Sequence, residues 1–481
     1  MTQFYTSLVP GRKDCLGSRP VLAPYDRSLI ATLEVVGWEV ADHALNTAYT
    51  LFRNRDRWLT AAQRIAILER AADLLSERAE DFAVEAAREG GKPLMDSRIE
   101  VARAIDGLRV CVHTLRTEAG EVVPMNLNAA SAGRIAFTQK EPIGVVLAFS
   151  AFNHPLNLIV HQVGPAIAAG CPVIVKPAEA TPISCYRFVA LLREAGLPEE
   201  WCQVFSVENR EVSAQLVADP RVAFFSFIGS ARVGWMLRSK LAPGARCALE
   251  HGGAAPVIVA ADADLEQAIP LLTKGGFYHA GQVCVSVQRV FVHASIARDL
   301  AVRLAEAAKK LRVGDPTRDD TEVGPMIRPE EVQRVDEWIK EAVVAGGELL
   351  CGGVRISETC YAPTVLFNPP DTVRVSREEV FGPVVCVYSY AELNEAIARA
   401  NALPYAFQAA VFTRDLDTAL RAYQRLDAAA VMVNDHTAFR VDWMPFAGLR
   451  QSGLGVGGMP YTLREMQIEK LCVLRSSGLR G

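Results

Sequence analysis

The stretch Val145-Val146-Leu147-Ala148-Phe149-Ser150-Ala151-Phe152-Asn153-His154-Pro155-Leu156 decides the fold. Its first five residues are apolar, small and polar residues follow at once, and apolar residues then recur at helical spacing over 156–168. A short apolar run of this kind is typical of a strand that is buried on both faces. The stretch therefore predicts a parallel strand, a polar loop at its carboxyl end, and a helix that packs on the sheet.

The same alternation continues on both sides of the chain's midpoint. It predicts strands near 172–175, 201–205, 222–227 and 246–249, with helices at 183–195, 212–217 and 231–241. A second run after 253 predicts strands near 257–259, 290–292, 364–367, 384–388 and 409–412. Successive βα units form parallel sheets covered by helices, and ligands bind at the carboxyl ends of the strands. The predicted class is α/β with two parallel-sheet domains.

The remaining segments have simpler interpretations. Residues 41–118 have helical periodicity, with Thr60 as a predicted N-cap and a helix end at 89–93. Residues up to about 32 are rich in Pro, Gly and Arg and are interpreted as a surface loop. Residues 122–141 predict a β-ribbon whose edge needs a cover, and the strand at 470–474 could pair with it.

Composition excludes several classes of protein. The 481 residues include 51 basic and 55 acidic side chains, a net charge of −4, which gives no reason to expect a nucleic-acid or membrane partner. The apolar runs are too short to span a bilayer, and no basic-then-apolar signal opens the chain. Eleven scattered cysteines, Cys15 among them, indicate reduced thiols and a cytoplasmic protein.

Cys284 is the residue with the clearest chemical potential. It follows a Gly281-Gln282 pair in an apolar segment and belongs to no CxxC pattern. Glu250 lies 34 residues earlier, at the end of a predicted strand and before Gly252-Gly253. A nucleophilic thiol and a carboxylate base can share one site across that separation.

Other segments at predicted strand ends are ambiguous when each is taken alone. Glu179, just past a strand, could accept ribose hydroxyls or belong to a solvated Lys–Glu pair. Gly229-Ser230, which opens a helix, could seat a pyrophosphate or form an ordinary turn. Asn153 could donate to an oxyanion or cap a helix, and 378–383 could be a plain loop.

Taken together, these segments resemble the NAD(P)-dependent aldehyde dehydrogenase superfamily over about 41–473, and the spacing from Glu250 to Cys284 is the family's usual one. The matching pieces are Phe-Asn-x-Pro with Asn153, Lys-Pro-Ala-Glu at 176–179, Phe-x-Gly-Ser at 227–230, Glu250 with Gly252-Gly253, Gly-Gln-x-Cys at 281–284, Glu-x-Phe-Gly-Pro at 379–383, and Pro-Phe-x-Gly at 445–448.

The resemblance implies three structural parts. A Rossmann-type NAD-binding domain comprises 1–121 and 142–252, and an α/β catalytic domain comprises 253–452. A small β oligomerisation ribbon and tail comprise 122–141 and 453–481. The ribbon implies a homodimer or a dimer of dimers.

The resemblance also implies the chemistry. Cys284 forms a thiohemiacetal and then a thioester, Asn153 donates to the oxyanion, and Glu250 activates the water that releases the acid. NAD is the implied cofactor, with NADP less expected because Glu179 would repel a 2′-phosphate. No metal is implied. The implied cofactor-binding residues are Phe149, Ser150, Phe152, Lys176, Glu179, Gly229, Ser230, Val233, Gly234, His251, Glu379 and Phe381.

Four residues depart from the family's usual pattern, and none of them removes a catalytic group. They are Phe152 for Trp, His251 for Leu, His279 for Asn and Ala447 for Gly.

The resemblance places Arg103, His154 and Arg440 along the substrate funnel, with Arg289 and Phe446 as further candidates. Arginine grips phosphonate, sulfonate or carboxylate with a fork of donors, so an anionic substrate is expected.

These basic residues also have a structural interpretation. Arg440 could pair with Asp442 or Asp435, and Arg103 could pair with Glu100.

The expected substrate is a small aldehyde with a terminal anion. Phosphonoacetaldehyde comes first because 152–157 and 433–442 resemble the phosphonoacetaldehyde dehydrogenase branch. Succinate semialdehyde, lactaldehyde and sulfoacetaldehyde are alternatives. A coenzyme A-acylating enzyme and a non-catalytic structural protein are the alternatives from other classes.

Overall fold

A computed structural model describes residues 3–12 and 17–479. Cys15 lies outside these residues. The ten cysteines inside them are free thiols, and seven are buried. Burial among apolar side chains fits their interpretation as reduced core residues.

The strands, in chain order, are β1 Gln3–Tyr5, β2 Gly17–Leu22, β3 Leu29–Val36, β4 Val122–Val123, β5 Arg134–Pro142, β6 Val145–Phe149, β7 Val173–Lys176, β8 Cys202–Val204, β9 Ser206–Val207, β10 Val222–Ile228, β11 Arg246–Glu250, β12 Pro256–Val259, β13 Arg289–His293, β14 Glu348–Cys351, β15 Thr364–Phe367, β16 Val384–Tyr390, β17 Tyr405–Ala406, β18 Gln408–Phe412, β19 Ala430–Val433, β20 Leu449–Arg450, β21 Gly453–Leu454 and β22 Gln467–Arg475.

The helices are α1 Trp38–Arg53, α2 Ala61–Glu77, α3 Ala79–Gly90, α4 Leu94–Thr117, α5 Asn157–Ala169, α6 Ile183–Glu194, α7 Arg210–Ala218, α8 Ala231–Arg238, α9 Leu265–Phe277, α10 Ala294–Lys310, α11 Pro329–Val344, α12 Arg374–Arg377, α13 Leu393–Ala400, α14 Leu416–Arg425 and α15 Met459–Glu465.

The first large sheet has the strand order β21-β11-β10-β6-β7-β8, and only β21 is antiparallel to its neighbour. The chain moves from β6 to β7 on one side and later returns to β10 on the other. Phe149 at the end of β6 is paired with Phe227 near the end of β10. The loops that leave these two strands diverge, which opens a crevice at the carboxyl edge of the sheet.

The second large sheet has the order β14-β15-β16-β13-β12-β18-β19, parallel apart from β14. Each large sheet has its own apolar core against its helices. The predicted α/β class with two parallel sheets is confirmed.

The predicted ribbon is a three-stranded antiparallel sheet of order β22-β5-β4. All nine residues of β22 are paired with β5, from Gln467 opposite Pro142 to Arg475 opposite Arg134. The predicted pairing of the late strand with the ribbon is therefore present.

The described residues up to about 32 do not form the predicted surface loop. Strands β1 and β2 flank β3, and β9 also pairs with β3, so this segment forms a small sheet of its own. Every second residue of β2 up to Pro20 is exposed, and a strand with so few apolar residues shows no clear period in the sequence. Pro20 is tolerated because β2 is an edge strand.

Helix α5 positions the loop of the opening stretch. Every residue of the helix is buried, and its first two available backbone N–H groups, of Leu156 and Asn157, each donate to Glu100 Oε1 at 2.9 Å. The other oxygen of Glu100 accepts from Lys92, so both charges of this buried pair are satisfied. The helix start, and with it the loop of Asn153, is thereby fixed against α4.

Candidate active site

A cavity of about 750 Å³ lies at the carboxyl edge of the first sheet and extends to the segment that carries Cys284. Its volume is typical of sites that bind small molecules or cofactors. The predicted site residues that line it are Arg103, Ser150, Phe152, Asn153, His154, Glu179, Gly229, Ser230, Val233, Glu250, His251, Cys284, Glu379, Phe381, Arg440 and Phe446.

The segment before Cys284 is held in an unusual backbone conformation. His279, Ala280 and Gly281 have φ values of 50°, 53° and 68°, three successive left-handed residues. A methyl group at Gly281 would lie 2.1 Å from the carbonyl oxygen of Gly382, so this turn requires glycine. Cys284 is thus presented by a strained turn that the surroundings must hold in place.

Gln282 supplies much of that hold. Its buried Nε2 donates to the carbonyls of His279 and Pro325, both at 3.2 Å, and its Oε1 accepts from the backbone of Ile327 at 2.9 Å. All the side chain's polar atoms are therefore used to fix the turn. Gly281 and Gln282 therefore both hold the turn that presents Cys284.

The thiol of Cys284 lies in surroundings that favour its neutral form. Burial raises its pKa to about 12, and the positive charge of Arg440 opposes that shift. The arrangement keeps the thiol protonated at neutral pH. It also places a cation where it stabilises a thiolate.

Asn153 lies against the same segment. Its buried Nδ2 donates to the carbonyl of Gln282 at 2.9 Å. A primary amide has two N–H donors, so one bond orients the group and the other donor is left for a ligand oxygen. The alternative that Asn153 caps a helix is not supported, because α5 starts at Asn157 and its first N–H groups use Glu100.

Glu250 ends β11 with its side chain in the cavity wall. Burial raises the pKa of the carboxyl, and Arg440 opposes that shift. Gly457 provides room for it, because a methyl group there would lie 2.2 Å from Glu250 Oε1. A buried carboxyl of raised pKa near a thiol can act as a general base toward water.

The start of α8 fits an anionic group such as a pyrophosphate. Ser230 occupies the N-cap position, but its side chain makes no cap bond, and the residue lines the cavity together with Gly229 and Val233. The first N–H groups of the helix therefore have no capping side chain, and Gly229, Ser230 and Val233 bring the start of the helix to the cavity wall.

His251 supports that helix start from below. Its Nδ1 lies 2.8 Å from the carbonyl oxygen of Gly229. A methyl group at Gly234 would lie 2.0 Å from the imidazole, so Gly234 is the residue that allows the ring to sit there. His251, where the resemblance leads one to expect Leu, thus packs against the turn at Gly229 and against Gly234.

Glu379 lies across the cavity from this helix. Its Oε1 accepts from the backbone N–H of Gly253 at 3.2 Å, and burial raises the pKa of the carboxyl to about 8. Phe381, with φ 48°, contacts the ring of Phe152 edge-on at 5.9 Å between centroids. These side chains form one wall of the cavity.

Three predicted cofactor residues lie behind the wall rather than in it. Phe149 packs in the core against Phe225, and Gly234 lies under His251. Lys176 has its Nζ 5.3 Å from the centre of the Phe149 ring and donates to the carbonyl of Pro177 at 3.4 Å.

Arg289 lies outside the cavity, so the prediction that it contacts the substrate is corrected. Its Nη2 donates to the carbonyl of Arg399 at 3.1 Å, and its guanidinium lies 4.9 Å from the centre of the Phe291 ring. The side chain is 2% exposed, within the second sheet's core. The residue does not line the cavity, so it cannot contact a ligand there.

Arg103 is neutralised by an acid that the sequence did not suggest. Its Nε and Nη2 donate to Asp442 at 3.0 and 2.7 Å in a bidentate pair. Neither predicted pair, Arg440 with Asp442 or Arg103 with Glu100, occurs among the ion pairs of the described residues. Asp435 instead accepts from the adjacent backbone of His436.

Arg440 faces the cavity without a carboxylate partner among the described ion pairs. Its Nη2 donates to His161 Nδ1 at 3.3 Å, and its guanidinium lies 3.5 Å above the centre of the Phe446 ring. Its Nε is buried with no hydrogen-bond partner among the described residues. A guanidinium whose buried N–H group has no partner can bind an anionic ligand.

His161 and Asp442 are functional candidates that the sequence analysis missed. His161 Nε2 lies 2.6 Å from Asp442, while its Nδ1 accepts from Arg440, so the ring is neutral and protonated on Nε2. Burial, followed by the charge of Arg440, lowers the pKa of His161 to about 4. The signal in the sequence was the presence of polar residues, Asn157, His161 and Gln162, in a helix that is otherwise apolar.

His154 lines the cavity as a neutral group. Burial and then the charge of Lys92 hold the pKa of its imidazole well below the usual value. Its ring lies 6.1 Å from that of His279 and 6.4 Å from that of Tyr278. His154 therefore offers hydrogen bonds rather than the positive charge expected from sequence.

The whole arrangement can be compared with known proteins. The profile described as "Aldehyde dehydrogenase family" matches residues 12–471. The chain belongs to the aldehyde dehydrogenase family. The fold, the class of enzyme and the family resemblance predicted from sequence are thereby confirmed.

Three similar family members illustrate the range of ligands. The chain is 41% identical to the 3-sulfolactaldehyde dehydrogenase of Priestia aryabhattai, over 94% of each chain. It is 34% identical, with a TM-score of 0.95 and 99% of each chain covered, to aldehyde dehydrogenase 21 from Physcomitrella patens, solved with the product succinate. It is 33% identical, with a TM-score of 0.91 over 97% and 100% of the chains, to glyceraldehyde-3-phosphate dehydrogenase from Methanocaldococcus jannaschii, solved with NADP.

Two other findings concern the described part of the chain only. No helix in it is long and apolar enough to cross a membrane. Within the same ranges, no group of three or more His, Cys, Asp or Glu side chains is placed to hold a metal ion.

Proposed function

We propose that this aldehyde dehydrogenase oxidises short aldehydes that carry an anionic group at the far end, and releases the corresponding acids. The proposal rests on the position of Arg440 in the cavity wall without an ion-pair partner among the described residues. Arg440 is a partly buried cation in the cavity wall; burial lowers the pKa of its guanidinium, Glu250 opposes that shift, and it makes no bidentate carboxylate pair like that of Arg103. Burying an uncompensated charge is costly, and an anionic substrate would offset that cost.

The anion of the substrate would be a sulfonate, phosphonate or carboxylate, all of which accept a guanidinium fork. We place a sulfonated three-carbon aldehyde first because the 41% identical relative is named for one. Phosphonoacetaldehyde, the first expectation from sequence, remains in the proposed class. Sulfoacetaldehyde and succinate semialdehyde belong to it as well.

The residues of the chain account for the chemical steps. The Cys284 thiol loses its proton to solvent by way of Glu250 as its sulfur adds to the aldehyde carbon, and the free N–H of the Asn153 amide stabilises the oxygen that becomes negative. A nicotinamide dinucleotide, when bound, supplies the acceptor for the hydride. Glu250 then takes a proton from the water that hydrolyses the Cys284 thioester.

The residues present fit such a dinucleotide. Ser230 and the uncapped start of α8 would hold the pyrophosphate, and Glu379 would hold the nicotinamide ribose. Glu179, at the other end of the cavity, would hold the adenosine ribose and favour NAD over NADP.

The test is a panel of aldehydes assayed by NADH formation. Sulfolactaldehyde, phosphonoacetaldehyde and succinate semialdehyde should each give a kcat/KM at least about tenfold above that of lactaldehyde, an uncharged aldehyde. A higher kcat/KM for lactaldehyde would refute the proposal. Turnover should not need coenzyme A; a strict requirement would favour an acylating enzyme, and no turnover at all would favour a non-catalytic protein.

A further inference from the structure

The far end of the cavity holds an ion pair that the chemistry of aldehyde oxidation does not require. Arg19 of β2 and Glu179, in the loop after β7, lie in the cavity wall, with Arg19 Nη1 3.1 Å from Glu179 Oε2. Glu179 is the carboxylate expected to bind the adenosine ribose. Its charge is thus compensated by a residue that lies 160 positions earlier in the chain.

Arg19 is anchored independently of Glu179. Its backbone is paired with Leu33 in the small N-terminal sheet. Its Nη2 also donates to the carbonyl of Glu208, just after β9, at 3.3 Å. The guanidinium therefore stays at the cavity rim whether or not Glu179 is in contact with it.

Glu179 has more freedom. Its side chain is 60% exposed, against 30% for Arg19, and the ion pair with Arg19 is the contact that holds it among the described hydrogen bonds and ion pairs. An ion pair this exposed contributes little to stability. The carboxylate can therefore turn into solvent at small cost.

The surrounding charge at this end is positive. Arg27 and Arg210 line the same cavity, and the buried Lys176 lies close enough that Glu179 and Arg19 both act on its pKa. Two acids of the cavity wall are paired with arginines, Glu179 with Arg19 and Glu331 with Arg328 and Arg334. A single acid that is already paired repels a phosphate far less than a free one.

We propose that Arg19 is a second determinant of cofactor choice, which allows the cavity to accept a dinucleotide with a 2′-phosphate as well as one without it. With NAD, Glu179 accepts from the ribose while Arg19 holds the carboxylate. With NADP, Glu179 turns outward and the guanidinium fork binds the phosphate. This rests on the dinucleotide site of the proposed function.

The test is a titration of the intact enzyme with NADPH and with NADH, followed by nucleotide fluorescence, so it needs no substrate. The variants are Arg19→Ala, Arg19→Lys and Glu179→Gln. The matched control is Arg57→Ala, which removes an arginine from another exposed Arg–Glu pair, at 3.0 Å, outside the cavity wall. Melting curves check that each variant is folded.

Arg19→Ala should weaken NADPH binding by about tenfold or more and change NADH binding by less than about twofold, because a charge-assisted phosphate contact is lost only for NADPH. The affinity of Arg19→Lys for NADPH should lie between those of the wild type and Arg19→Ala. Glu179→Gln should strengthen NADPH binding. Arg57→Ala should alter neither. Equal losses for both nucleotides, or no loss, would overturn the proposal, as would a wild-type enzyme that binds NADPH more than about a thousandfold more weakly than NADH.

The two proposals fail in different ways. If the titration gives the expected pattern but no anionic aldehyde is preferred, the substrate proposal fails and the role of Arg19 stands. If anionic aldehydes are preferred but Arg19→Ala affects both nucleotides alike, the role of Arg19 fails alone.

Discussion

At Cys284, burial and charge act on the same thiol in opposite directions. Burial raises the pKa to about 12, while Arg440 favours the thiolate. The thiol should therefore be mostly protonated at neutral pH in the enzyme without ligand. Reactivity would increase when a proton acceptor such as Glu250 and a polar substrate enter the cavity.

This predicts the pH dependence of alkylation by iodoacetamide in the absence of nucleotide. A folded pKa raised well above the assay range means that the thiolate fraction, and hence the rate, rises about tenfold per pH unit from pH 7 to 10. Arg440→Gln should slow the reaction further, because it removes the charge that opposes the shift. Mass spectrometry of the labelled peptide, with Cys284→Ser as the blank, measures the rate. A plateau below pH 9 would contradict this account of the thiol.

A second prediction at the residue scale concerns His161. It accepts from Arg440 only while Nδ1 is unprotonated, and its pKa, lowered to about 4, keeps it neutral at every pH above about 5. KM for an anionic aldehyde should therefore be independent of this group from pH 5.5 upward. His161→Leu should raise that KM about three- to tenfold with kcat nearly unchanged, because Arg440 loses one hydrogen bond. A parallel rise in KM for lactaldehyde would show that His161 only supports the fold.

The residue scale also shows where sequence reasoning stopped. Asn153, Glu250 and Cys284 were found because their neighbours have a recognisable pattern. The partner of Arg103 was not, because Asp442 is 339 residues away and an arginine among several nearby acids has no preferred partner in the sequence. Which of the two arginines, Arg103 or Arg440, pairs with Asp442 depends on the three-dimensional packing alone.

Among the elements, α5 positions several groups of the site. Its amino end carries the loop of Asn153, its middle carries His161, and Glu100 on α4 holds its start. The buried Lys92–Glu100 pair compensates the carboxylate that does so. Burial lowers the pKa of Lys92, and the charge of Glu100 opposes that shift.

Glu100→Gln should therefore be destabilising. Removing one partner of a fully buried ion pair leaves a buried charge uncompensated, at a cost of roughly 3–5 kcal/mol. For a domain of this size the melting midpoint should fall on the order of 10 °C. Glu80→Gln is the matched control, because Glu80 pairs with Arg98 on the surface and its loss should leave the midpoint unchanged. Equal melting curves for the two variants would mean that the buried pair does not hold α5.

At this scale, elements with a strong apolar period were predictable and those without it were not. The strand Val145–Phe149 and the N-cap at Thr60 are as expected. The strands β1 and β2 were taken for loop because they are short, partly exposed and stabilised by pairing with β3 rather than by their own composition. A strand that is stabilised by pairing with a distant segment has little recognisable pattern in its own sequence.

For the whole molecule, the ribbon sheet is the feature that a single chain leaves incomplete. On β22, Leu471, Val473 and Leu474 are 53%, 47% and 52% exposed. Apolar side chains on an open sheet of this kind need a partner surface. We expect a second copy of the chain to cover it, in a dimer or a dimer of dimers.

The double variant Leu471→Lys with Val473→Lys should then shift the enzyme to monomers, since two charges on one face of β22 oppose burial against a partner. Light scattering after size exclusion gives the mass. Leu416→Lys, at a residue 70% exposed on α14, is the control and should leave the assembly intact. A double variant of unchanged mass would place the interface elsewhere.

The central claim is that Arg440 selects an anionic aldehyde for Cys284. Its most direct test is the ratio of kcat/KM for sulfolactaldehyde to that for lactaldehyde, measured in the wild type, in Arg440→Ala and in Arg440→Lys. Loss of a charge-assisted hydrogen bond should lower that ratio about 10- to 100-fold in Arg440→Ala, with a smaller fall in Arg440→Lys. A ratio that stays the same, with both aldehydes affected equally, would contradict the claim.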